Sequence, residues 1–188
     1  MTRAWQTLEE FLKDCEKFQI PPLLRLLLAS DGSTTRSFNS LFLTPITITL
    51  ESQHESLIDD SSASQLEVSK GEKAIERCIW LKTGKGSKPD QKLLHAASIL
   101  PISRFMPDIY QELQLGQKPL GQIIAERGLA THRDCFEVAL LSFPDVAKEL
   151  ELKEDTLLWA RRYRLSISGQ ISALIQEVFS PGLSLFSS

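Results

Sequence analysis

Trp5, Leu8, Phe11, Leu12, Cys15 and Phe18 recur at the spacing of one helical face, which predicts an amphipathic helix over residues 5–18. Pro21-Pro22 stops it and suits the first turn of a second, apolar helix. That helix should end before Asp31-Gly32-Ser33-Thr34-Thr35-Arg36, a polar run built for a turn. Ile46, Ile48 and Leu50 then alternate with Thr47, Thr49 and Glu51, the two-residue period of a half-buried strand. Residues 52–71 are rich in Ser, Asp and Glu and read as a long surface loop. Residues 75–83 and 93–100 read as two strands joined by the flexible hairpin loop Gly84-Lys85-Gly86-Ser87-Lys88-Pro89-Asp90. Helices are predicted over 108–115, 122–127 and 145–150, with a strand over 135–141 between the last two. Two final strands cover 157–167 and 171–179, joined at Ser168-Gly169-Gln170. Strands linked by hairpins, with helices clustered rather than alternating, predict an α+β domain: a single antiparallel β-sheet with helices packed on one side.

Charge interrupts this pattern at three places. One face of the strand from Leu157 reads Leu157, Trp159, Arg161, Tyr163, Leu165, Ile167, and one face of the last strand reads Ile171, Ala173, Ile175, Glu177, Phe179. A three-residue loop sets Ile167 opposite Ile171, Leu165 opposite Ala173 and Tyr163 opposite Ile175, and so Arg161 opposite Glu177. A two-residue loop would bring Ser172 and Gln176 against the apolar face, a poorer match. Arg77 likewise shares a face with Ile75, Ile79 and Leu81. Two arginines and one glutamate should therefore project from the apolar side of one sheet. They are either a structural ion pair with an arginine at a strand end, or a pocket for a small dianionic ligand with a polar handle.

Composition narrows the class. With 188 residues, 42% hydrophobic and 24% charged, the chain is an ordinary single globular domain. A formal net charge of -3 offers no bulk attraction to nucleic acid. Arg161-Arg162-Tyr163-Arg164 divides its charges between two strand faces, which speaks against a nucleic-acid partner. No apolar run approaches the roughly 18–20 residues of a membrane span, and the N-terminal residues lack a secretory apolar core. Cys15, Cys78 and Cys135 are scattered and odd in number, matching neither a disulfide framework nor a zinc site, and they suggest a reducing cytoplasm. His54, His95 and His132 have no metal-ligand spacing, and Gly84-Lys85-Gly86-Ser87-Lys88 lacks the full phosphate-loop pattern. The expectation is a cytoplasmic monomer with no membrane insertion.

At these residues the chain resembles the chorismate lyase family, in particular its divergent branch in oxygenic photosynthetic bacteria. The similarity runs in order from about Leu24 to Pro181. It rests on Asp31-Gly32-Ser33-Thr34-Thr35-Arg36, on Glu76-Arg77-Cys78-Ile79-Trp80-Leu81, and on Leu115-Gly116-Gln117-Lys118-Pro119-Leu120-Gly121. It closes with Trp159-Ala160-Arg161-Arg162-Tyr163-Arg164, Ser168-Gly169 and Glu177-Val178-Phe179-Ser180-Pro181. The chain departs from the family at Ala97 and Ser98, where many members carry an arginine, and at Cys78, often acidic.

The resemblance implies an enzyme that converts chorismate to 4-hydroxybenzoate and pyruvate with no metal or organic cofactor, supplying quinone synthesis. It implies that Arg77 anchors the ring carboxylate, helped by the backbone N–H of Leu120, and that Glu177 contacts the ring hydroxyl. Glu177 and Arg77 are then the catalytic residues, and Ser33, Thr34 and Arg161 join them around the substrate. Arg161 serves either the enolpyruvyl carboxylate or Glu177. Residues 31–36 and 119–128 would enclose the site. Two rivals differ in class. Effector-sensing domains of transcription regulators are similar to this fold and bind without chemistry, but the N-terminal helices are too few and insufficiently basic for a DNA-binding unit. A scaffold would use the charged positions only as structural pairs.

Overall fold

The computed structural model describes residues 3–15, 20–84 and 91–181. In chain order the elements are β1 (Arg3–Thr7), α1 (Leu8–Cys15), α2 (Pro22–Ala29), α3 (Thr34–Phe42), β2 (Ile46–Leu57), α4 (Asp60–Leu66), β3 (Lys73–Thr83) and β4 (Lys92–Pro101). After a 3-10 turn follow α5 (Pro107–Leu115), α6 (Leu120–Glu126), β5 (Thr131–Ser142), α7 (Pro144–Glu149), β6 (Leu157–Ile167) and β7 (Gln170–Phe179). The strands form one sheet in the order β1-β5-β6-β7-β4-β3-β2, and every neighbouring pair is antiparallel. The α+β single-sheet class predicted from the sequence is the class observed.

Alternation along the strands gives the sheet two buried faces. On the first, α1, α2 and α3 cover Ile79, Leu81, Val138 and Phe179, while α5 and α6 cover Ile75, Tyr163, Leu165 and Ala173. The second carries its own apolar rows: Trp80, Leu158, Ala160 and Val178 lie under α7, and Ala74 and Leu174 under α4. Five helices thus lie on one side, and α4 and α7 lie on the other.

The β6–β7 hairpin has the expected register by a different route. Arg161 pairs with Glu177, Tyr163 with Ile175 and Leu165 with Ala173. The turn itself is the two-residue Ser168-Gly169, with φ of 50° and 84°, the positive values of a twist-matched hairpin turn. A bulge between Leu165 and Ser166 restores the apolar pairing. It also turns Ile171, expected on the first face, to Ser166 and the cluster under α4.

Three local expectations are corrected. The N-terminal helix begins only at Leu8, because Arg3–Thr7 pairs with β5, and Trp5 packs in the cluster under α7 instead of on the helical face; residues 16–19 lie outside those described. The run at 31–36 is not all turn: Ser33 caps α3, its Oγ accepting from the Arg36 amide at 3.4 Å, and the helix starts at Thr34. The surface loop at 52–71 is replaced by the second half of β2 and by α4, which Asp59 caps at 2.7 Å through the Ser62 amide. β2 is an edge strand with most side chains exposed, so it shows no alternation there, and α4 buries only Ala63 and Leu66. The hairpin joining β3 to β4 has the predicted antiparallel partners, though residues 85–90 of its loop lie outside those described.

Candidate active site

Glu177 on β7 and Arg161 on β6 face each other because the hairpin register pairs them. Both are almost fully buried, at 5% and 1% exposure, so each must find its partners inside the protein. Arg161 Nε donates to Glu177 Oε2 at 2.5 Å, and Nη2 donates to Thr34 Oγ1 at 2.8 Å. Nη1 donates to the carbonyls of Leu27 and Ser30 at 2.6 and 2.7 Å, at the negative end of α2. Glu177 Oε1 also accepts from Thr34 Oγ1 at 2.9 Å and from the Tyr163 hydroxyl at 3.4 Å. Burial, the largest single influence, would lower the Arg161 pKa; Glu177 and Tyr163 together outweigh it, and the balance is upward. Burial, helped by Glu177, pushes the Tyr163 hydroxyl up to about 12, so it remains a proton donor across the ordinary pH range.

Arg77 on β3 is also buried, and its surroundings differ. Nη2 donates to the Lys118 carbonyl at 2.9 Å, but no carboxylate lies within ion-pair distance among the described residues, and the buried Nε has no hydrogen-bond partner. Burial lowers its pKa, with no countercharge to offset it. Arg77 and Glu177 line one narrow cavity of about 70 Å³ with Ser33, Thr34, Leu120 and Ile175. Leu120 is the first residue of α6, where a backbone amide has no partner within the helix. It is placed there by the end of α5: Gly116 takes φ of 65° at the helix cap, a conformation that glycine adopts without cost. The sequence-predicted Arg77, Glu177, Leu120, Ser33 and Thr34 therefore converge. Arg161 does not line the cavity; it stands behind Glu177 and Thr34.

Sequence reasoning missed Arg133, which lines the same cavity. Counting back by twos from the inward Val138 puts Asp134 inside and Arg133 outside. A bulge between Asp134 and Glu137, with Cys135 at φ of 50°, reverses that parity. Asp134 consequently pairs with Arg164 on the other face, at 2.8 Å, and Arg133 turns inward. Its Nη1 donates to the Asp31 carbonyl at 2.7 Å, its guanidinium lies 5.4 Å from the Tyr163 ring centre, and its Nε is buried without a partner.

Residues 28–187 match the family model described as Rv2949c-like chorismate pyruvate-lyase. The chain belongs to this family. No curated protein matches its sequence. Among solved structures, PhnF from Mycobacterium smegmatis is similar at TM-score 0.63 and 17% identity, over 81% of this chain and 65% of PhnF. The chain thus spans about two thirds of that protein; it spans 90% of the PhnF effector domain, at the same TM-score, identity and share of this chain. The ligand-binding domain of a putative GntR-family transcriptional regulator from Bordetella bronchiseptica is similar at TM-score 0.59 and 17% identity, over 73% of this chain and 86% of that one. At such identities the likeness is one of fold. The family member described here thus has the same architecture as regulator domains that hold ligands.

This chorismate pyruvate-lyase family member has two further clusters of polar side chains outside the cavity. A larger groove of about 400 Å³ lies on the opposite sheet face, lined by Cys78, Gln176, Arg162 and Arg164 among others. Two of its three arginines are already paired, Arg162 with Glu137 at 2.5 Å and Arg164 with Asp134, and the third is Arg77, which also lines the narrow cavity. Glu51, Cys78 and His95 bring three potential metal-ligand atoms within 4.8 Å of one another, although their sequence spacing shows no such set. Glu51 lies at the bulge between Leu50 and Ser52, and His95 and Glu51 hydrogen-bond each other at 2.7 Å. No described helix is long and apolar enough to cross a membrane.

Proposed function

We propose that the chain is a chorismate lyase, converting chorismate to 4-hydroxybenzoate and pyruvate. The observation that carries this reading is Arg77: a buried guanidinium without a countercharge, in the same cavity as Glu177, in a member of this lyase family. An unpaired buried cation is costly, and a substrate carboxylate would supply what it lacks. In the reaction, the C3–O ether bond breaks, the C4 hydrogen leaves as a proton, and its electron pair completes the aromatic ring. Enolpyruvate departs and takes up a proton to become pyruvate. Aromatisation drives the step, so no redox or metal cofactor is required.

Arg77 and the Leu120 amide hold the ring carboxylate, and Ile175 supports the ring. Glu177 accepts a hydrogen bond from the C4 hydroxyl. Its own contacts with Arg161, Thr34 and Tyr163 keep it aimed, so Arg161 acts as a positioning residue for Glu177. The product supplies the aromatic ring for quinone synthesis, plastoquinone in the photosynthetic branch.

Purified protein incubated with chorismate alone should yield equimolar 4-hydroxybenzoate and pyruvate by chromatography. Arg77→Met should lower kcat/KM by about 10- to 100-fold, the value of one charge-assisted contact. The second reading is a sensor, favoured by the fold shared with regulator effector domains. It requires tight 4-hydroxybenzoate binding with no turnover; full turnover in Arg77→Met would defeat the assigned anchor.

A further inference from the structure

We infer that Arg133 forms a second carboxylate subsite in the cavity, specific for the side-chain carboxylate of a dicarboxylic ring ether. The inference rests on the reading of Arg77 as the anchor of the ring carboxylate.

Charge balance is the first ground. The ionisable side chains lining the cavity are Arg77, Arg133 and Glu177. Arg161 neutralises Glu177 from behind at 2.5 Å, so two guanidiniums remain without a countercharge among the described residues. Each has a buried Nε with no hydrogen-bond partner. Arg25 and Arg104 share that feature but lie outside the cavity. One carboxylate on Arg77 would leave Arg133 unmatched; a dianion satisfies both.

Geometry is the second ground. β7 lies in the middle of the five strands β5-β6-β7-β4-β3, with Arg133 two strands to one side and Arg77 two strands to the other. At a strand spacing of about 4.8 Å, each backbone is about 10 Å from β7. Ile175 on β7 lines the cavity between them, an apolar floor for a flat ring. The arrangement fits a ring with one carboxylate attached directly and a second carried on a short ether-linked arm.

Arg161, the other candidate for this second charge, donates through Nε, Nη1 and Nη2 to Glu177, Leu27, Ser30 and Thr34 and does not line the cavity. Arg133 is positioned for the task by the bulge at Cys135, by the Asp31 carbonyl and by the Tyr163 ring.

The test is calorimetric titration of the full chain with two probes. 4-Hydroxybenzoate carries one carboxylate; 3-(1-carboxyvinyloxy)benzoate carries two and, already aromatic, cannot eliminate. Arg133→Met should weaken the dicarboxylate at least tenfold and 4-hydroxybenzoate less than threefold, whereas Arg77→Met should weaken both. Arg133→Lys keeps the charge without the fork and should lose dicarboxylate affinity to an intermediate degree. If Arg133→Met does not fold, by circular dichroism, the Arg133→Lys ratio decides alone, with at least a threefold selective loss expected. Equal losses for the two probes, or none for the dicarboxylate, overturn the subsite and leave Arg77 as an anchor. A wild-type protein that binds neither probe overturns both readings. Selective loss in a protein that never turns over chorismate keeps the subsite and removes the lyase.

Discussion

Arg161 and Arg77 lie on the same apolar sheet face, yet one donates from all three of its nitrogens and the other keeps a buried Nε with no partner. The difference should appear in stability. Arg161→Met would leave Glu177 buried without its countercharge, and breaking such a pair costs about 3–5 kcal/mol. Arg77→Met removes a desolvated cation that had none, so stability should be unchanged or higher while binding is lost. Urea unfolding of both variants checks the contrast; a large loss in Arg77→Met would make that arginine structural. Much of this pair was legible in the sequence, because a charge on an apolar strand face stands out and hydrophobic register fixes its partner. Arg133 was not, since the bulge at Cys135 inverts the parity on which such reading depends.

The α5–α6 unit brings Leu120 to the cavity, and an ion cluster clasps it. Arg127 pairs with Asp108 at 2.9 Å and Glu112 at 2.8 Å, while Lys118 pairs with Glu112 at 2.7 Å and Glu126 at 2.6 Å. The hydrogen bond from Arg127 holds Asp108 below its usual carboxylate range, and those from Lys118 do the same for Glu112 and Glu126. Carboxylates lowered by folding contribute stability above their unfolded pKa values and lose it as pH falls through the folded ones. α6 should therefore lose hydrogen-exchange protection below about pH 4 before the sheet does, and high salt should weaken it at neutral pH. Loss of protection in α6 only together with β6 and β7 would show that the cluster does not clasp it. The motif spanning Leu115 to Gly121 announced this unit in sequence. The second half of β2 and α4 did not announce themselves, because an edge strand and a helix burying two residues leave little periodicity.

A seven-stranded open sheet ends in two edges, β1 and β2, and either could recruit another chain. β1 has five residues. β2 has twelve, but it carries Glu51, His54 and Glu55 and is bent by the bulge between Leu50 and Ser52. Such an edge resists pairing, so sedimentation should find a monomer at micromolar concentration; a dimer dissociated by Glu55→Pro would show that β2 pairs after all. The single sheet was legible because consecutive strands share hairpins. Of the two helices on its second face, α7 was legible at 145–150, whereas α4 was not, because it buries only two residues. Across the whole molecule, helix layer and sheet meet at one guanidinium, where Arg161 joins the carbonyl end of α2, Thr34 of α3 and Glu177 of β7. A chain whose strands have paired but whose helices have not docked would have no finished pocket. A bound ligand therefore recognises completed molecules alone, and by mass action a cell rich in that ligand would draw half-assembled chains toward completion.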